Sequence, residues 1–232
     1  MKRVVLLITA LLLFLPTTAP AGRHKIGKSV GDRPIVAIRL GDPSSHHKML
    51  VVGCIHGNEC AGKAIVRRLR RRALPRDLDL WLVPDMNPDG SHAGTRQNGR
   101  GVDLNRNFSY RWRRQGERWD TYYSGPRPFS EPESRAARDF IRDRRPDITI
   151  WYHQQMSLVV KMPRHRAVQR RYARLVNLPL KDIGRLPGTA TRWQNHKFPG
   201  HIAFVVELPG GSLSKRAVKR HARAVLAISR ML

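Results

Sequence analysis

His56-Gly57-Asn58-Glu59 offers an imidazole nitrogen and a carboxylate oxygen three positions apart, just after the apolar run Met49–Cys54. Short, β-branched and apolar, that run reads as a buried strand, and Cys60–Ala73 then carries apolar residues at helical spacing. The two donors therefore sit at a strand-to-helix turn, the kind of edge at which open α/β sheets bind ligands. Alone they are an incomplete set. A Glu at such a turn also suits a bare helix N-terminus, whereas hydrolytic zinc takes three protein ligands and leaves one position for water. Asp147–His153 is a second β-prone run ending on a histidine at the same kind of edge, which makes His153 the best third donor. His24, His46 and His47 lie near the start of the chain, His92 and His165 in loop-like stretches and His221 in a basic helix, where solvated side chains are expected.

Residues 84–130 are rich in Gly, Asn and Arg with little apolar periodicity, and so long an irregular stretch in a compact domain is usually functional or disordered. It holds Asn87-Pro88-Asp89-Gly90, Arg96 and Asp103-Leu104-Asn105-Arg106-Asn107-Phe108. Further on, Glu207 ends the apolar run Ile202–Val206 and precedes Leu208-Pro209-Gly210-Gly211. Taken in order with His56-x-x-Glu59 and His153, this set resembles the zinc carboxypeptidase family, within its small bacterial, murein-peptide-amidase-like branch. The resemblance spans residues 48–211.

It implies that His56, Glu59 and His153 bind one zinc ion, that Asp103 orients a ligand imidazole, and that Glu207 is the general base. Arg96 takes the place of the family arginine that stabilises the tetrahedral oxyanion, and Asn105 and Arg106 that of the clamp for a terminal carboxylate. Elementary chemistry is consistent with these roles. Two neutral imidazoles and one carboxylate leave the ion net positive, able to bring a bound water toward a pKa of ~7. A carboxylate that accepts the other ring N–H fixes the tautomer of a ligating histidine. A guanidinium grips a carboxylate through two parallel hydrogen bonds, which selects a chain end over an internal bond. One departure stands out: larger family members close a tyrosine over the substrate from a place upstream of the catalytic Glu, and residues 177–206 contain no Tyr. Trp193, Asn195 and His196 occupy that region. Trp193 is open between pocket wall and core, with the wall preferred, and Arg192 is a candidate selector for acidic side chains.

Pro34–Leu40, Met49–Cys54, Leu78–Val83, Asp147–His153, Leu158–Met162 and Ile202–Leu208 read as strands, and Cys60–Ala73, Glu131–Arg144, Ala167–Val176 and Ser214–Leu232 as helices. Their alternation predicts a three-layer α/β/α domain with a mixed, largely parallel sheet, like that of the zinc carboxypeptidases. Met1-Lys2-Arg3, the apolar Val4–Leu15 and the small residues Ala19-Pro20-Ala21 have the form of a secretory signal cleaved near Ala21. Residues 22–232 then form a single catalytic domain with no transmembrane segment, secreted or held in the periplasm or cell wall. Cys54 and Cys60 bracket the metal turn, open between a bridge and two buried thiols.

The formal net charge of +27, from 44 Lys and Arg against 17 Asp and Glu, draws polyanions. For an exported protein these include anionic cell-wall polymers. Nucleic-acid binding is a rival reading of the charge, but helical spacing accounts for much of it as solvated faces, and no specific nucleic-acid partner is expected. The function expected is hydrolysis of the amide before a residue bearing a free carboxylate, in murein peptides. The alternatives are a general metallocarboxypeptidase, an aspartoacylase-like deacylase that shares a His-Gly-x-Glu turn and an Asp-x-Asn-Arg segment, and a non-enzymatic wall- or polyanion-binding protein.

Overall fold

The computed structural model describes residues 22–232; the expected secretory signal, residues 1–21, lies outside the described residues. Seven strands form one sheet in the order β1 (Gly22–Lys28), β2 (Pro34–Gly41), β4 (Asp79–Val83), β3 (Lys48–Val52), β5 (Ile148–Val160) and β6 (Leu180–Lys181), with β7 (Ile202–Pro209) also paired to β5. β3, β4, β5, β6 and β7 pair in parallel, and β1 and β2 extend the sheet antiparallel. The fold is therefore the mixed α/β arrangement expected. β4 is buried at every position and β3 at all but Lys48, which is why the central strands read as continuous apolar runs rather than alternating ones.

Successive residues of a strand face opposite sides of the sheet, and β5 shows what each side meets. Tyr152 packs where α1 (Gly62–Leu69), α4 (Arg166–Val176) and α6 (Lys215–Ile228) lie side by side. Its hydroxyl is 2.7 Å from that of Tyr172 in α4, which is 2.9 Å from His221 Nδ1 in α6. Gly62 permits this packing, since a Cβ there would overlap Tyr152 and the Gly53 backbone. Trp151 points the other way, toward Phe108. On that side Trp81 of β4 meets Phe140 of α3 (Pro132–Arg144), and α5 (Ala190–Lys197) packs on β7.

Several elements differ from expectation. The strand expected at Leu158–Met162 is the end of the 13-residue β5, and α1 stops at Leu69, short of Ala73. β1, β6, α5 and α2 (Pro88–Ala93) carry too few apolar residues to show a period. His221 is not solvated: it is 1% exposed, and burial, aided by the neighbouring Arg220, pushes its pKa down to about 4, so the ring is neutral.

Residues 84–130 hold their shape through side-chain amides that stand in for a backbone ladder. Asn87 Oδ1 caps α2 by accepting from the Gly90 N–H, and Asn98 Oδ1 accepts from the N–H groups of Arg100 and Val102. The wholly buried Asn107 donates to the carbonyls of Ser124 and Arg127 and accepts from the Glu131 N–H and the Ser134 hydroxyl. Removing that amide strands several buried polar groups. Asn107→Ala should therefore lower unfolding free energy by about 2–4 kcal/mol in urea denaturation with an unchanged slope, whereas a loss below about 1 kcal/mol would contradict this role.

Candidate active site

β3 ends at Val52, and the following turn carries His56 and Glu59 past the carboxyl edge of the sheet. Cys54 and Cys60 are joined by a disulfide across this turn, with their Cα atoms 4.7 Å apart. Gly57 lets α2 lie against it, because a Cβ there would overlap the Gly90 backbone. On the next strand, β5 pairs in register with β7 so that His153 stands opposite Glu207. Partners in a parallel ladder share a face, and pairing alone thus sets imidazole and carboxylate side by side.

His56 Nδ1 and His153 Nδ1 are each 3.0 Å from Glu59 Oε2 and 3.1 Å from each other. Tetrahedral zinc with ligand bonds of ~2.0–2.1 Å has ligand-to-ligand edges of about 3.3 Å, so the set is nearly of the right size for one ion. Its chemistry also fits. His56 Nε2 lies 2.9 Å from Asp103 Oδ1; donating its proton there leaves the Nδ1 lone pair aimed at the other two donors.

The charges are arranged to match. Burial works to raise the Asp103 carboxyl, but the imidazole of His56 and the guanidinia of Arg96 and Arg106 override it and hold Asp103 well below the usual carboxylate range. Burial likewise opposes ionisation of Glu59, and its contacts with His153 and His56 prevail, leaving it ionised. For His153 burial dominates and takes the pKa down to about 4, so its ring is neutral and able to ligate. Glu207 moves the other way, up to about 7, first through burial and then through the charge of Glu59. Its Oε2 is buried with no hydrogen-bond partner among the described residues.

Arg96 spans the two acids, with Nη1 donating to Glu59 Oε1 at 2.7 Å and Nε and Nη2 to Asp103 Oδ2 at 3.1 and 3.0 Å. Asn105 Oδ1 accepts from the Ala190 N–H, and its Nδ2 lies 3.4 Å from His153 Nε2. Arg106 is buried and donates to the Asn105 carbonyl. The three ligand candidates, Glu207, Arg96, Asn105, Arg106 and Arg192 all line one cavity of about 600 Å³, with Asp103 buried beneath. Arg192 donates to the Leu186 carbonyl, and its guanidinium lies 5.5 Å from the Tyr110 ring centre. Trp193 does not line the cavity; it packs in the core against Phe108, Phe129 and Phe198, because α5 turns Arg192 and Thr191 to the opening instead. Asn195 braces the Ala203 backbone, and His196 stacks on Tyr110.

Two aromatic residues of the cavity, Tyr110 and Tyr122, carry no periodic or motif signal in the sequence pattern. Tyr122, about half exposed, lies with its ring centre 4.9 Å from the Arg106 guanidinium and 5.6 Å from that of Arg96. Tyr110 faces Arg192 and Arg111. Both belong to the irregular stretch, where the one available signal was an aromatic side chain among arginines.

The family described as zinc carboxypeptidase matches residues 21–213. Murein peptide amidase A of Vibrio campbellii is 30% identical over 220 residues, covering 87% of this chain and 85% of that protein. The Escherichia coli K12 protein of the same name is 29% identical over 195 residues, or 75% and 76% of the two chains. Among solved structures, the murein-tripeptide amidase MpaA from Escherichia coli O157 superposes with a TM-score of 0.76 at 26% identity, over 93% of this chain and 98% of that one. Carboxypeptidase A from Helicoverpa armigera shares the fold, with a TM-score of 0.78 at 19% identity over 91% and 68% of the two chains. Family match, relatives and fold agree that this chain is a hydrolase belonging to the zinc carboxypeptidase family.

Proposed function

We propose that the protein is an exported, zinc-dependent amidohydrolase that releases a residue bearing a free carboxylate from cell-wall (murein) peptide. The observation that carries this reading is one cavity with a three-donor cluster at its floor, Glu207 beside it with its Oε2 unpartnered among the described residues, and Arg106 on its wall. Residues 1–21, read as a secretory signal, support export to the periplasm or wall, and the net charge suits an enzyme working among anionic wall polymers. Among the described residues no helix is long and apolar enough to cross a membrane.

His56, Glu59 and His153 would hold one zinc ion, which supplies a Lewis acid with an open position for water. Glu207 takes a proton from the attacking water and delivers it to the leaving amine. Arg96 holds a fixed positive charge where the carbonyl oxygen becomes negative. Asn105 and Arg106 receive the substrate's free carboxylate, with the Tyr122 ring beside the guanidinium. Arg192 stands ready for a second acidic group. Among the alternatives, Asn87-Pro88-Asp89-Gly90 and the Glu207-Leu208-Pro209-Gly210 setting favour a peptidase over an aspartoacylase-like deacylase. A pure polyanion binder has no use for a buried carboxylate with a free oxygen beside a three-donor cluster.

Three outcomes follow. Zinc-loaded protein offered murein tripeptide and a panel of linear peptides should release diaminopimelate from the former, as read by mass spectrometry; trimming of ordinary peptides alone would instead make it a general carboxypeptidase. Glu207→Gln should cost about 10²–10⁴-fold in kcat while leaving zinc content unchanged. Glu207 works only when ionised, so kcat/KM should fall as pH drops through its pKa. That acid limb should lie at or below the value of about 7, because a cation beside the carboxyl favours its charged form. A profile flat from pH 8 to pH 4 would remove Glu207 as base.

A further inference from the structure

The positive charge is not spread evenly over the molecule. α1, α6 and α4 pack side by side, and none of the chain's 17 acidic residues lies in them, in residues 70–76 after α1 or in residues 229–232 after α6. The outward positions are basic: Arg67, Arg70, Arg71 and Arg72 in and after α1, Lys215, Arg216, Lys219, Arg220 and Arg223 on α6, and Arg170, Arg171 and Arg174 on α4, all exposed. Among the described residues none of these side chains forms an ion pair or a side-chain hydrogen bond. The other side of the sheet is built differently. There α3 interleaves its arginines with acids, Arg138 pairing with Asp139 at 2.7 Å and Arg144 with Asp143 at 3.1 Å. Mutual repulsion across three neighbouring helices weakens the fold, and among the described residues no acidic side chain pairs with these cations to relieve it.

Net charge alone would suit any polyanion, but this face has a second feature. Between α4 and Met231 runs a groove of about 690 Å³ lined by the apolar Ala167, Ala173, Leu178 and Leu180 and by Arg170, Arg171 and Arg174. Met231 also lines it, 40% exposed, and Leu175, 39% exposed, lies one helical turn beyond Arg171 on the same face. A soluble polyanion needs phosphate or carboxylate contacts only. Arginine forks around exposed aliphatic side chains match a surface with phosphates outside and hydrocarbon below.

We infer that the α1–α6–α4 face docks on a lipid bilayer bearing anionic headgroups, with guanidinia at the headgroup phosphates and Leu175 and Met231 at the acyl boundary. Docked this way, the protein keeps its cavity free. The cavity lies at the carboxyl ends of β3, β5 and β7, whereas the three helices cover a face of the sheet, and α4 joins the two, with Arg166 on the cavity wall and Arg170 on the groove. The inference stands apart from the proposed substrate, since it concerns residues outside the cavity.

Cosedimentation with vesicles tests it. Protein lacking residues 1–21 should bind phosphatidylcholine vesicles containing a third phosphatidylglycerol and leave pure phosphatidylcholine vesicles in the supernatant. At about fivefold per cation near the surface, Arg170→Glu/Arg171→Glu/Arg174→Glu should weaken binding at least about 100-fold without changing hydrolysis of a soluble substrate. Arg138→Glu/Arg142→Glu/Arg144→Glu makes the same charge change on α3, on the far side of the sheet and beyond a Debye length of ~10 Å, and should cost less than about fivefold. Circular dichroism establishes that both variants are folded; if the α4 variant is not, Arg171→Gln/Arg174→Gln replaces it, with an expected loss of about 25-fold. No binding to anionic vesicles, or equal losses in the α3 and α4 variants, would overturn the inference. Tighter binding of inorganic polyphosphate than of vesicles, abolished by the α4 variant, would overturn it too, by assigning the face to a soluble polymer.

Discussion

The Asp103 carboxylate, wholly buried, accepts hydrogen bonds from His56 Nε2, from the Asn105 backbone N–H and from Arg96 Nε and Nη2. An ionised carboxylate in such a place costs several kcal/mol unless its lone pairs are met, and here they are. Each of its partners acquires a direction as a result. His56 Nε2 is engaged, Arg96 is held across Glu59, and the short turn Leu104–Arg106 that carries Asn105 and Arg106 is capped by Asp103. His56, Arg96 and the Asn105–Arg106 pair therefore share one anchor, which makes them a rigid unit rather than three independent contacts.

That anchor is useful because two other constraints bring its partners to the same place. The parallel register of β5 with β7 sets Glu207 beside His153, and the bridged turn between Cys54 and Cys60 holds His56 and Glu59 at the end of β3. Among the described residues, Glu207 is the acid of the cavity with a buried oxygen, Oε2, left without a partner, and it is the one pushed toward neutrality. A carboxyl in that state suits a group that must gain and lose protons, whereas Glu59 and Asp103, held ionised, suit groups that must not.

The central strands and main helices were legible because burial on both faces writes long apolar runs, and the ligand candidates because each follows such a run. Glu207 lies near the end of β7, whereas β5 runs on past His153 to Val160, so the histidine ends the apolar run but not the strand. The irregular stretch was legible only as motifs: nothing in its period foretold that Asn98 and Asn107 act as backbone surrogates or that Tyr122 comes to lie over Arg96 and Arg106. Trp193 faces the core rather than the pocket because adjacent residues on a short helix face different ways, and which way depends on Phe108 and Phe129, some 85 and 64 positions earlier in the chain. His221 was read as solvated because its helix is basic, yet its position on the inner stripe of α6 places it against Tyr172.

The proposed function makes one demand above all, that a single ion be bound by His56, Glu59 and His153. Elemental analysis of the purified protein and of His56→Ala, with hydrolysis followed on the same samples, tests this most directly. The account predicts one zinc per chain in the natural protein and loss of both zinc and hydrolysis in His56→Ala, with the fold retained. Hydrolysis that persists in folded His56→Ala without zinc, or full zinc content in that variant, would contradict it.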